Sequence, residues 1–259
     1  MSNVHPSALI DPAAKLHASV TVGPFSIIGP QVEIGEGTKV GPHVVLKGPM
    51  KIGRNNQIFQ FSSLGEVAQD KSVKDSDATR VEIGDDNMIR EYVTINRGTL
   101  KQDGVTRLGN GNWIMAGSHL AHDCVVGNHT VLANCVLLAG HVVVDDYAIL
   151  GGFTGVHQYC RIGAHAFCGG ASVVLRDVLP FVMVQGNPAE SRAINSEGLK
   201  RRGFAPDDIG AIKDAYKLIF LSGKPMAEIK AGLAQRAVSS AYVRLMHEAL
   251  ESSKRSIAR

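Results

Sequence analysis

The chain has little cysteine: its 259 residues hold four, Cys124, Cys135, Cys160 and Cys168, with no CxxC pair. A small disulfide-stapled scaffold is thereby excluded, and reduced thiols in a cytoplasm are expected. An excess of one charge sign is also missing. A net charge of +3 is too balanced for a dedicated nucleic-acid binder, yet leaves room for a local basic patch facing an acidic partner. Long apolar runs are lacking as well; the longest, Cys135 to Val144, is broken by His141 and is too short for a membrane span. Met1 to Asp11 show no basic stretch followed by an apolar one, so no export signal is expected. With 44% hydrophobic and 20% charged residues, the chain can bury a sizeable core, which excludes a disordered tail protein.

What the sequence does have is a period. Aliphatic residues recur every six positions at Val4, Ile10, Leu16, Val22, Ile28, Ile34, Val40, Leu46, Ile52, Ile58 and Leu64, then at Ile83, Ile89 and Ile95. They resume at Leu108, Ile114, Leu120, Val126, Leu132, Leu138, Val144, Leu150, Val156 and Ile162, ending at Cys168 and Val174. A period of six fits neither 3.6 nor 2, so it predicts short strands separated by regular corners. Glycine often follows the aliphatic residue, as at Val22-Gly23 and Ile52-Gly53, where a side chain would crowd a corner or force an unfavourable backbone angle. Three hexads predict one triangular coil of about 18 residues, stacked about 4.8 Å from the next, in a parallel β-helix of about nine coils.

The intervals from Leu64 to Ile83 and from Ile95 to Leu108 exceed a multiple of six. Each predicts an excursion from the coil, near 67–80 and 99–107, and such excursions commonly carry binding groups. From about Ser191 the spacing turns helical, with Ile209, Ile212, Ala215, Tyr216 and Ile219 on one face and Leu245, Ala249 and Leu250 on another. The predicted organisation is therefore an all-β solenoid over 1–190 and a helical domain over 191–259. The helices would cap the last coil, whose strand edges would otherwise stand unpaired.

Ten histidines are present, and the coil length tells which of them can meet. His141 follows His122 by one coil plus one residue, His157 follows it by two coils minus one, and His119 precedes it by three residues. These four are expected on one flank. A zinc site would need three convergent imidazoles and an open water position. General-base catalysis needs one neutral imidazole, and Asp123 directly after His122 suits it: a carboxylate orients the ring and stabilises the imidazolium formed on proton abstraction.

The run Ser118-His119-Leu120-Ala121-His122-Asp123-Cys124 is followed by Ala139-Gly140-His141-Val142, Val156-His157-Gln158-Tyr159 and Gln185-Gly186-Asn187. With Asn195-Ser196-Glu197-Gly198-Leu199-Lys200-Arg201-Arg202-Gly203-Phe204 and Gly65-Glu66-Val67-Ala68-Gln69-Asp70, these segments resemble the UDP-N-acetylglucosamine O-acyltransferases that begin lipid A biosynthesis. The resemblance covers nearly the whole chain. It implies a left-handed parallel β-helix in a homotrimer, with active sites between neighbouring chains. The implied reaction moves an R-3-hydroxyacyl chain from acyl carrier protein to the 3-hydroxyl of UDP-N-acetylglucosamine. No metal is implied, and phosphopantetheine enters only on the carrier protein.

By the same resemblance His122 is the general base, Asp123 its orienting partner and Gly140 the backbone donor to the oxyanion. Gln69, Asp70, His119, His141 and Gly152 fall around sugar and acyl chain. His157, Gln158, Asn195, Glu197, Arg201 and Arg202 fall at the nucleotide end, where a planar arginine fork suits a pyrophosphate. Gly170, with Phe167 nearby, maps to the far end of the acyl groove and leaves room for roughly twelve to fourteen carbons. Lys200, Lys254, Arg255 and Arg259 suit docking of an acidic carrier protein.

Two positions depart from the family pattern. Where that pattern has Asp-x-Lys-Tyr, this chain reads Asp70-Lys71-Ser72-Val73-Lys74, which leaves open whether Lys71 or Lys74 reaches the substrate. Ile95-Asn96-Arg97-Gly98 has asparagine where histidine commonly precedes the arginine. Among rival readings, the related N-acyltransferase would carry a further domain before the hexads, which here begin at Val4. A structural or ice-binding solenoid would repeat one exposed residue type on successive coils, and the exposed positions here are irregular.

Overall fold

A computed structural model describes residues 3–75 and 77–259; Met1, Ser2 and Ser76, the last within the first expected excursion, lie outside the described residues. Short strands stack into three sheets of nine, eight and ten strands, parallel except for the last pair of the third, which form the faces of a left-handed prism. The first face begins at Leu9–Ile10, the second at Lys15–Leu16 and the third at Thr21–Val22. Every hexad position from Ile10 to Val174 lies in a strand, and Val4 bridges to Val22. From Val22 onward all of them are buried. Successive coils pair eighteen residues apart, as in the column Leu120, Leu138, Val156 and Val174.

Four residues after most of the aliphatic positions a small or β-branched side chain is buried as well. Asn56, Asn87, Asn112 and Thr130 form one such buried column, in which the backbone N–H of each donates to the side-chain oxygen of the residue before it at 2.8–3.0 Å. The ladder satisfies polar groups that burial would otherwise penalise.

The corners refine the expectation about glycine. A Cβ on Gly23 would fall 2.7 Å from the Gly41 carbonyl carbon, and one on Gly53 2.6 Å from the Gly84 oxygen, so crowding is real at both. The left-handed angle, however, falls two residues later, on Phe25 at φ 59° and Asn55 at φ 55°. Side chains at these corners stack on one another, which offsets the cost of the αL conformation, about 1–2 kcal/mol each.

Both excursions are present. Ile83 pairs with Ile52, thirty-one residues earlier instead of eighteen, so thirteen residues leave the coil between Leu64 and Ile83. Leu108 pairs with Ile83 at an offset of twenty-five, so seven leave it between Ile95 and Leu108. The second excursion ends sooner than expected, because Val105–Leu108 pairs with Arg80–Ile83 over four residues.

Strand structure runs past residue 190. Val182–Gly186 joins the third face and turns back on Ala189–Ile194 as an antiparallel hairpin, which has no hexad period. Helices α1 (Ser196–Arg201), α2 (Pro206–Phe220), α3 (Met226–Ala237) and α4 (Ala241–Ser252) follow. Ile212, Ala215, Tyr216 and Ile219 are buried as the spacing predicts. Leu245 is not: α4 turns Val243, Met246 and Leu250 inward and leaves Leu245 43% exposed. The tail returns to the last coil, where the Ala258 N–H donates to the Asp177 carbonyl oxygen at 2.9 Å. All four cysteines are free thiols, and burial pushes Cys124 and Cys168 up to about 12.

Candidate active site

Between the first and second faces, successive coils present His122-Asp123, Gly140-His141 and Gln158-Tyr159, each pair eighteen residues after the last. Asp123, His141 and Tyr159 hold φ of 60°, 63° and 65°, so the second members of the pairs stack along the corner. The one-residue offset between His122 and His141 is what lets the two rings meet, edge to face, with centroids 5.1 Å apart. Tyr159 lies flat over His141 at 4.4 Å and 7°.

Hydrogen bonds fix the His122 ring. His122 Nδ1 lies 2.9 Å from Asp123 Oδ2. A carboxylate oxygen only accepts, so the ring carries a proton on Nδ1 and a neutral ring keeps the lone pair of Nε2 free to accept a proton. The Asp123 side chain is fully buried and also accepts from the Thr99 N–H at 2.8 Å and the Thr99 hydroxyl at 2.7 Å. His141 Nδ1 lies 2.7 Å from Gln102 Oε1, and its Nε2 lies 3.7 Å from Asp123 Oδ2. Burial lowers the proton affinity of His141, and likewise that of His119, whose Nδ1 lies 2.7 Å from Thr94 Oγ1.

Gly140 is pressed against the His122 ring: a Cβ there would fall 2.5 Å from His122 Cε1, so glycine alone admits the ring. Its carbonyl accepts from the Tyr159 N–H at 3.1 Å, while its own N–H donates to no backbone group among the described residues.

The two excursions close over this corner. Asp70, from the first, meets Lys101, from the second, at 2.6 Å. That bond, with the N–H and hydroxyl of Ser72, holds the Asp70 carboxyl well below the usual carboxylate range. Gln69 is exposed beside it. Lys71 and Lys74 are exposed and form no ion pair among the described residues, so the lysine on Asp70 is neither of the two that sequence left open. Asn96 ties down the first excursion by donating to the Val67 carbonyl oxygen at 2.8 Å, and buried Arg97 does so through Asp75 at 2.6 Å. Thr99, Lys101 and Gln102 were not among the residues picked from sequence; the break in the hexad period was their only trace.

Other expected residues lie elsewhere. His157 and Gln158 sit further along the same corner, with His157 Nδ1 3.1 Å from the Gln158 carbonyl oxygen. Gly152 and Gly170 stack on the corner between the third and first faces, where a Cβ on Gly170 would lie 3.4 Å from the Gly152 oxygen. Asn195, Glu197, Arg201 and Arg202 belong to the corner between the second and third faces. There Asn195 caps α1 and donates to the His165 carbonyl oxygen at 3.0 Å, Glu197 pairs with Lys200 at 2.8 Å, and Arg202 stacks 5.1 Å over Tyr147. One chain therefore does not bring these four to His157 and Gln158, as expected of a shared nucleotide site, because α1 is anchored at a different corner.

Nor do three imidazoles converge. The donor atoms that approach within 4.8 Å are those of His122, Asp123 and His141, two rings and a carboxylate already committed to Thr99. His119 is engaged by Thr94.

Hexapeptide coils with an imidazole–carboxylate pair at one corner define a hexapeptide-repeat transferase, and residues 3–48 and 106–140 match the bacterial transferase hexapeptide model. Residues 177–258 match the second domain of UDP-N-acetylglucosamine O-acyltransferase. Over the full length of both chains, the sequence is 52% identical to the acyl-[acyl-carrier-protein]–UDP-N-acetylglucosamine O-acyltransferase of Thiobacillus denitrificans. The UDP-N-acetylglucosamine acyltransferase structure from Francisella novicida superposes with TM-score 0.97 at 42% identity, covering 99% of this chain and 94% of that one. The Moraxella catarrhalis O-acyltransferase gives TM-score 0.97 at 42% identity, covering 99% and 100%. The chain belongs to the UDP-N-acetylglucosamine O-acyltransferase family and is an enzyme.

Proposed function

We propose that this enzyme moves an R-3-hydroxyacyl chain from acyl carrier protein to the 3-hydroxyl of UDP-N-acetylglucosamine, the first step of lipid A biosynthesis. The observation that carries the mechanism is the His122–Asp123 bond with Gly140 packed on the same ring. His122 Nε2 takes the hydroxyl proton as the sugar oxygen attacks the thioester carbonyl. Negative charge develops on the carbonyl oxygen, and the Gly140 N–H, outside the backbone ladder, is the donor that meets it. Collapse breaks the carbon–sulfur bond, the imidazolium returns its proton to the departing phosphopantetheine thiolate, and no covalent enzyme intermediate forms.

His119, His141, Gln69 and Asp70 surround sugar and acyl group. The acyl chain crosses the first face past Gly155, where an added Cβ would meet nothing within 4 Å, toward Gly152 and Gly170. Asn195, Glu197, Arg201 and Arg202 serve the nucleotide from a neighbouring chain of a homotrimer, completing the His157 and Gln158 end. Support for that assembly is apolar exposure: Leu9, Ile27 and Leu137 on the first face, and the stack Phe25, His43, Phe61 and Tyr92 along its edge. No described helix is long and apolar enough to cross a membrane. Reaction with a soluble carrier protein fits a cytoplasmic location.

The test is transfer of a 3-hydroxyacyl group to UDP-N-acetylglucosamine by wild type and His122→Ala, each with and without chelator. Loss of about 10²–10⁴-fold is expected in the variant, and chelation should leave wild type unchanged. A variant that keeps wild-type activity excludes His122 as the base, and wild-type activity lost to chelator would restore a metal at His122, Asp123 and His141.

A further inference from the structure

The second excursion sets a cation at the catalytic corner that neither motif nor spacing revealed. It is held on both sides of Lys101: by the Thr99 N–H and hydroxyl on Asp123, at 2.8 and 2.7 Å, and by the Gln102 side chain on His141 at 2.7 Å. Lys101 thus stands at a fixed place beside the base while its side chain, 53% exposed, ends on Asp70 at 2.6 Å. An acceptor that carries a diphosphate meets two carboxylates here, Asp70 and Asp123, and needs a counter-charge close by. Arg201 and Arg202 of the same chain are at another corner. An ammonium has three donors, so it can keep Asp70 and still bond a phosphate oxygen.

Resting on the acyl-transfer reading, we propose that Lys101 is a substrate-contacting residue whose ammonium, parked on Asp70 in the free protein, binds the diphosphate of the acceptor nucleotide. The excursion then joins two tasks, holding Asp123 and His141 in place and delivering the charge that seats the acceptor beside His122. Lys71 and Lys74 have no such role.

The experiment measures binding of UDP and of UDP-N-acetylglucosamine to the full chain by calorimetry, alongside steady-state transfer, for wild type, Lys101→Met, Lys101→Arg and Lys71→Met. In Lys101→Met both ligands should bind about tenfold more weakly, with KM for the acceptor rising in step and kcat within about twofold of wild type. Lys101→Arg should keep most of the affinity, and Lys71→Met should match wild type. Unchanged affinity in Lys101→Met would overturn the proposal, as would a loss confined to UDP-N-acetylglucosamine with UDP unaffected. Wild type that binds UDP-N-acetylglucosamine but never acylates it would instead remove the reading on which the proposal rests.

Discussion

On the coils around the site, left-handed positions between the first and second faces are held by Asp123, His141 and Tyr159, and those between the second and third by His129, Tyr147, His165 and Phe181. The backbone is the same at both. At the second corner the rings stack on one another at 5.0, 4.8 and 5.6 Å, and Phe204 closes edge-on against His165. His165 Nδ1 is buried there without a partner among the described residues, and burial, followed by the nearby Arg202, pushes its pKa down to about 4. At the first corner the imidazoles touch a carboxylate held by Thr99. A histidine at a coil corner is thus set against a carboxylate or packed among rings by what adjoining coils and excursions place beside it, because both corners supply the same backbone.

The contrast breaks most sharply at Gly140. Alanine there places a Cβ 2.5 Å from His122 Cε1, and the ring must turn away from Asp123. Transfer should fall about 10²-fold, the scale of a 1 Å misplacement of a catalytic group, while the thermal midpoint changes by only a few degrees. Wild-type rates in Gly140→Ala would mean that the His122 position is not set by this packing.

Thr99→Val sharpens the same comparison with a smaller effect. It removes the hydroxyl donor to Asp123 Oδ2 but keeps the N–H to Oδ1. One charge-assisted bond is lost, so kcat/KM should drop about tenfold. Because Asp123 acts through His122, the pH profile should shift as well, and the conservative Thr99→Ser should restore both rate and profile. A rate loss without a shifted profile would make Thr99 only a structural support.

The hexads made the prism and its two excursions legible, since a buried aliphatic at every sixth position admits little else. The His122–His141 contact was legible too, because the one-residue offset between consecutive coils carried it. What lay outside reach was set by contacts with no period. Thr99, Lys101 and Gln102 belong to an excursion, so no register ties them to Asp123, Asp70 or His141. The family pattern points to Lys71 or Lys74, one and four residues after Asp70, while the lysine that reaches it comes thirty-one residues later. The resemblance puts Asn195 to Arg202 with His157 and Gln158 at the nucleotide end, while within one chain the hairpin Val182–Gly186 and Ala189–Ile194 carries that segment to another corner. Helical spacing places Leu245 on a buried face, but α4 packs on α2 and α3 and turns Val243, Met246 and Leu250 inward.

The smallest expected effect belongs to the second corner. His165 has a folded pKa of about 4, against about 6.5 for an unfolded histidine. Between those values the unfolded chain binds a proton that the native stack refuses, so stability is complete above about pH 6.5 and is lost as pH falls through the window. His165→Phe keeps the ring stack and removes the titrating group. Its activity near pH 7.5 should stay within about twofold of wild type, and its thermal midpoint should fall less between pH 7 and pH 5. Coincident pH slopes for the two proteins would show that His165 accepts its proton without cost to the stack. An activity loss like that of Gly140→Ala would show that the His165 ring itself is needed for transfer.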